Sequence, residues 1–163
     1  MRILGIDPGL VATGYGVIDV GVSYTLDCQA AGVIRPASKD LAERMLQLYD
    51  ELVTVLHEFI PDAMAVEDLY STYSHPKTAI LMGHARGVIF LAAAQRAVPV
   101  VSYTPTDVKR AVAGHGHASK EQVQAMVQRL LRLSTPPTPD HVSDALSMAI
   151  CHAFRNRKLP GLR

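Results

Sequence analysis

Only two cysteines, Cys28 and Cys151, occur in 163 residues, and their number and spacing exclude both a zinc cluster and a disulfide framework. Long apolar runs are also lacking. The longest unbroken one, Val88 to Ala94, is far too short to cross a bilayer. No targeting segment precedes the first strand, because Met1 leads straight into it. The chain therefore reads as a soluble, cytoplasmic protein. There is no internal repeat, no low-complexity tract and no linker that would split residues 1–163, which are expected to form a single domain with a core large enough to fold unaided. A P-loop and a dinucleotide fingerprint are missing, since Gly14-Tyr15-Gly16 has no third glycine at the required spacing.

Net charge is nearly absent too, at +1, but that balance hides a split. Residues 1–68 hold 4 Lys and Arg against 11 Asp and Glu, a balance of −7; residues 69–163 hold 12 against 4, a balance of +8. Such a division within one domain predicts a basic surface facing a polyanion, with the acids gathered elsewhere.

What is present is organised around Ile3-Leu4-Gly5-Ile6-Asp7-Pro8-Gly9. Arg2 to Ile6 has the apolar, β-branched character of a strand buried on both faces, and Pro8-Gly9 turns the chain after it. Asp7 thus stands at the tip of a central strand, where a carboxylate is held rigidly. Thr13 to Val20 and Ser23 to Ile34 predict two further strands joined by tight turns, hence an antiparallel start. Leu41, Met45, Leu48, Leu52, Val55, Leu56 and Phe59 mark an amphipathic helix closed by Pro61. Ala63 to Val66 is a short buried strand ended by Glu67, as the first is ended by Asp7.

Tyr70 to Pro76 reads as an irregular polar loop. Thr78 to Arg96 reads as a helix apolar nearly all round, which needs two partners: the sheet on one side and, on the other, either a second subunit or the rest of the same chain, which the sequence favours equally. Pro99 to Tyr103 is a third parallel-type strand, followed by a short helix over Thr106 to Val112 with Lys109 and Arg110. Gly114 to His117 is a flexible loop. Ser119 and Gln122 form a capping box for a helix ending near Arg132. Pro139 suits the first turn of a last helix that buries Val142, Ala145, Leu146, Ala149, Ile150 and Ala153. The expected fold class is α/β, a five-stranded mixed sheet flanked by helices.

That last helix puts His141 and Asp144 three apart on one face, and Asp140, four from Asp144, shares the face equally well. With Asp7 and Glu67 they can converge on one cleft. Carboxylates so placed repel and raise each other's pKa unless cations neutralise them. Oxygen ligands with one imidazole suit Mg²⁺ or Mn²⁺. Two such ions about 3.5–4 Å apart are a common apparatus for cutting a phosphodiester.

Gly5-Ile6-Asp7-Pro8-Gly9, Val66-Glu67-Asp68-Leu69-Tyr70, Gly83-His84-Ala85-Arg86-Gly87 and Asp144-Ala145-Leu146 resemble the RuvC-type crossover junction endodeoxyribonucleases, the bacterial Holliday junction resolvases. The resemblance runs over nearly the whole chain. It implies an RNase H-like fold, a homodimer, two metal ions per active site, and symmetric nicking of a four-way DNA junction beside the RuvA–RuvB branch-migration complex. By position it implies Asp7, Glu67 and Asp144 as metal ligands, with His141 three residues earlier in place of the Asp that many members carry. Tyr70 matches an aromatic near the junction centre, while Lys109 and Lys120 match basic residues at the scissile region. Lys77, Arg86 and Arg110 complete the basic residues expected to meet DNA. His75-Pro76 replaces an Asn-rich loop.

Three other readings share parts of this pattern. An RNase H-like nuclease acting on RNA or flaps would use the same acids. An actin-like ATPase also holds phosphate at Asp-x-Gly turns, but needs a second lobe. A junction-binding module without catalysis would need no metal.

Overall fold

The computed structural model describes residues 1–68 and 76–156. Five strands and five helices follow one another as β1 (Arg2–Asp7), β2 (Thr13–Val20), β3 (Leu26–Ile34), α1 (Leu41–Phe59), β4 (Ala63–Glu67), α2 (Pro76–Gln95), β5 (Val100–Tyr103), α3 (Pro105–Ala113), α4 (Lys120–Leu130) and α5 (Asp140–Arg155). The sheet order is β3-β2-β1-β4-β5, with β1, β2 and β3 antiparallel and β1, β4 and β5 parallel. The mixed sheet and its two helical layers are those of the RNase H-like fold expected from the sequence.

Side-chain alternation along each strand assigns residues to layers. Ile3, Ala65 and Tyr103 join α3, α4 and α5 in one core; Leu4, Ile6, Val17, Met64 and Val66 join α1 and α2 in the other. Two residues beyond Gly5 and Ala65, Asp7 and Glu67 fall on the α5 side. Their strands are parallel neighbours with Ile6 opposite Val66, so both acids leave the sheet at the same edge.

Helix ends follow local chemistry. Asp40 accepts from the Glu43 amide at 3.0 Å and starts α1, while Ile60 closes it in a left-handed conformation before Pro61. Thr104 with Asp107, and Ser119 with Gln122, form the capping boxes of α3 and α4. Pro139 lies at the N-cap of α5, not within its first turn, and supplies no side-chain cap. The third strand begins at Leu26, three residues later than expected, because Gly21 to Thr25 closes as a turn in which the Gly21 amide donates to the Thr25 carbonyl.

α2 differs most from expectation. Over Lys77–Gln95 it is long and apolar enough, by length and composition, to cross a bilayer, which run length alone did not reveal. Ala85, Ile89, Ala92 and Ala93 are nevertheless fully buried in the α1–α2 core. Ile80, Gly83, His84, Gly87, Phe90 and Leu91 are exposed, so the helix has one covered and one open apolar face.

Candidate metal centre and nucleic-acid cleft

The seat of α5 on the sheet determines the site. A Cβ added to Gly5 would stand 1.9 Å from the Ala145 carbonyl oxygen, and one added to Gly14 would stand 2.0 Å from that of His141. Gly16, opposite Gly5 in the β1–β2 register, likewise leaves room for Leu146. The helix backbone therefore lies directly on β1 and β2. An isolated glycine in a strand is the available sequence signal for such close approach; reading Gly14 and Gly16 only as a failed nucleotide fingerprint missed it.

Gly14 pairs with Asp7 across the strands, so the contact that seats His141 also sets it beside that acid. His141 Nδ1 lies 2.7 Å from Asp7 Oδ2. Asp144, one turn along, lines the same cleft with Glu67. Asp140 lines the cleft as well, but its side chain is 74% exposed and 3.8 Å from Lys120 Nζ. Lys120 Nζ is also 3.7 Å from Asp144 Oδ2, so one ammonium faces both acids. The loop after Asp7 is closed by Thr13, whose hydroxyl donates to the Gly9 carbonyl at 2.8 Å, and by Arg44, which donates to the Leu10 carbonyl.

The cleft has a volume of about 870 Å³, with Asp7, Glu67, Asp140, His141 and Asp144 on its acidic wall and Lys109 and Lys120 beside them. Leu81, Met82, Val108 and Val123 contribute apolar surface. Lys77 is exposed at the start of α2 and Arg110 is exposed on α3. Arg86 is placed differently from the other basic residues: its guanidinium is turned inward, with only 12% of the side chain exposed. Tyr70 and His75 lie outside the described residues.

Burial pushes the Glu67 carboxyl up to about 7, and the neighbouring Asp7 and Asp144 charges add to that rise. Asp144 is also raised, first by burial and then by Asp7, with Lys120 opposing. The donor set of three carboxylates and one imidazole fits Mg²⁺ or Mn²⁺, whose charge would offset this repulsion. Among the described residues no three His, Cys, Asp or Glu groups already form a closed ion-holding cluster. The four side chains converge on the cleft without completing a ligand shell.

A pH dependence follows. A carboxyl raised in the folded state stabilises the fold while protonated; that contribution is complete below its ordinary value of 4.5 and is lost as pH rises through about 7. In chelator, the stability of Glu67→Gln relative to the parent should grow across that interval, by about 3 kcal/mol at most. Denaturant midpoints at several pH values measure this, and a pH-independent difference would contradict it.

Residues 3–152 match the sequence profile of the family described as Crossover junction endodeoxyribonuclease RuvC. The chain is similar to the protein of that name from Moorella thermoacetica, with 46% identity over 153 residues, covering 94% of this chain and 91% of the relative. The Chloroflexus aggregans protein of the same name is 47% identical over 156 residues, covering 94% and 93%. In structure the chain resembles Thermus thermophilus RuvC in complex with Holliday junction substrate, with a TM-score of 0.91, 39% identity and coverage of 96% and 95%. Shared sequence over nearly the full length, the same fold and an acidic cleft at the tips of β1 and β4 lead to one conclusion: this chain belongs to the RuvC family of crossover junction endodeoxyribonucleases.

Proposed function

We infer that the protein is a metal-dependent endonuclease that resolves four-way DNA junctions by symmetric paired nicks, in recombination and repair. The observation that carries this reading is the meeting of Asp7, Glu67, His141 and Asp144 in one cleft beside Lys109 and Lys120. Family membership supports the substrate. Asp7, Glu67, Asp144 and His141 are the residues that would hold two Mg²⁺ or Mn²⁺ ions. Such ions, when bound, supply an activated water and stabilise the leaving oxygen of the cleaved P–O bond.

The chain's own groups supply the rest. The 2.7 Å hydrogen bond between His141 and Asp7 fixes the orientation of both side chains. Lys120, 68% exposed at the rim, is placed to attract a phosphate and to offset charge developing on it. Lys77, Lys109 and Arg110 offer phosphate contacts that position the duplex arms without reading sequence. Tyr70 is proposed to stack on an unpaired base or sugar at the opened crossover.

Incubating the protein with a mobile four-way junction and Mg²⁺ or Mn²⁺, beside linear duplex, RNA–DNA hybrid and single-stranded RNA, tests the reading. Paired nicks confined to the junction are expected. Equal cutting of hybrid or RNA would favour the general nuclease, and junction binding without cutting would favour a non-catalytic module.

Symmetric nicks require two sites, which we assign to a two-fold homodimer formed through the open face of α2. Ile80 is 62% exposed there and Leu91 54%, beside Gly83 and Gly87, which lack any side chain to hold two helices apart. Sedimentation at micromolar concentration should give a dimer, and Leu91→Glu should give a monomer that no longer makes paired nicks. A parent protein sedimenting as a monomer while still cutting both strands in one encounter would refute this. The RuvA–RuvB branch-migration complex is the partner the family implies, and the cytoplasm the expected compartment.

A further inference from the structure

Arg86 belongs to α2, on the opposite side of the sheet from α5, yet its guanidinium ends at the strand tips that carry the site. It donates to the main-chain carbonyl of Glu67, to Ser102 Oγ at 3.0 Å and to Asp68 Oδ1 at 3.4 Å. All three partners lie at the C-terminal ends of β4 and β5. The Phe90 ring lies 4.7 Å from Arg86 Cζ and covers the group from one side. Nη1 meets the Glu67 carbonyl while Nη2 meets Ser102 and Asp68, so two nitrogens of one rigid fork are used; the single nitrogen of an ammonium does not span both positions.

These contacts reach Glu67 through its backbone. Strand alternation sends the Glu67 carboxylate toward α5, while Arg86 approaches from the α1–α2 side. The bond is therefore mechanical and does not neutralise the carboxylate. Such a tether has a physical purpose. Glu67 is the last residue of β4, beyond it the chain leaves the sheet, and its carboxylate faces the like charges of Asp7 and Asp144. A strand end carrying a repelled side chain turns away unless its main chain is held. The Asp68 amide, bonded to the Tyr103 carbonyl at 2.9 Å, holds one side of that strand end, and Arg86 holds the other.

We propose that Arg86 is a positioning residue: it pins the Glu67 carbonyl to the ends of β4 and β5, so that the Glu67 carboxylate stands in the cleft ready to bind a divalent cation. The proposal rests on Glu67 being a metal ligand, as inferred above. It differs from a phosphate contact, which is what a basic residue at this position of the sequence suggests by charge alone.

Arg86→Lys keeps the charge, and Arg86→Met keeps an unbranched stem without it; neither retains the fork. Mn²⁺ binding to each is measured by calorimetry without DNA, and four-way-junction binding is measured in EDTA as a function of salt. Both variants should bind Mn²⁺ about tenfold or more weakly, the usual scale for losing a partner that orients a ligand. Junction affinity and its salt slope should match the parent, and excess Mn²⁺ should restore part of the cleavage rate. Unchanged Mn²⁺ affinity overturns the proposal, as does a junction affinity that falls with a shallower salt slope, the signature of a lost phosphate contact. Where the Arg86 variants fail to fold, Ser102→Ala removes one acceptor of the fork: a smaller loss of Mn²⁺ affinity supports the tether, and no loss overturns it. Glu67→Gln is the reference. If it binds Mn²⁺ like the parent, the ligand assignment and the tether fall together. If it loses Mn²⁺ while the Arg86 variants keep it, only the tether falls.

Discussion

Asp7→Asn and Glu67→Gln are each expected to lower junction cleavage by about 10³-fold, the scale on which loss of one preorganised electrostatic group is felt, while junction binding stays near that of the parent. Asp7 is buried at the tip of β1 and Glu67 ends β4, so neither faces the rim where a DNA arm would lie. Affinity for the junction should come from Lys and Arg contacts to phosphate. Neutralising a carboxylate removes repulsion of DNA, so binding in chelator should hold or tighten slightly. Cleavage and gel-shift titrations of one labelled junction separate the two quantities. Parallel loss of both would mean that these acids support the fold and not the reaction.

The same assay separates the two neighbours at the start of α5. His141, at 2.7 Å from Asp7, should matter; Asp140, on the same cleft but mostly exposed and 3.8 Å from Lys120, should matter less. His141→Ala is therefore expected to impair cutting far more than Asp140→Asn. The reverse order would transfer the ligand role to Asp140. An imidazole ligand also predicts stronger activity with Mn²⁺ than with Mg²⁺, which prefers oxygen.

Gly5→Ala should destabilise the protein by about 3 kcal/mol or more, at or beyond the upper end of the usual cost of overpacking. The added methyl would meet the Ala145 carbonyl oxygen at 1.9 Å and the Ala149 amide nitrogen at 2.7 Å. Both are backbone atoms of α5, so no rotamer change relieves the clash and the helix itself must lift from β1. Lifting α5 carries His141 and Asp144 away from Asp7 and Glu67. Cleavage by the fraction that remains folded should fall with stability, and the two losses can be read from a denaturant midpoint and a junction assay on the same preparation. A midpoint within about 0.5 kcal/mol of the parent, the range of ordinary surface substitutions, would show that the helix is not seated where Gly5 places it.

Much of this architecture was legible in residue order. Short apolar runs ending in Asp7 and Glu67 located the acids at strand tips, and the spacing of Leu41 to Phe59 located α1. Ser119 with Gln122 announced the start of α4, and every residue expected to be buried in the last helix is buried. These features are local. Hydrogen-bond periodicity and capping act within a few residues, so a linear pattern carries them. Family motifs then tied the acids to a reaction, which spacing alone left shared with other nucleases.

Contacts between elements distant in sequence were decided only by the tertiary structure. His141 and Asp140 flank Asp144 about equally on a helical wheel; the seating of the His141 backbone on Gly14 sets the imidazole beside Asp7, while Asp140 stays mostly exposed near Lys120. Arg86 reads as one more cation for DNA, yet the ends of β4 and β5 supply acceptors that draw it inward. The apolar surface of α2 divides into a covered and an open face only once α1 and the sheet take one side. In each case the side chain's chemistry set what it could do, and groups from elsewhere in the chain, brought close by the fold, decided which of its options it took.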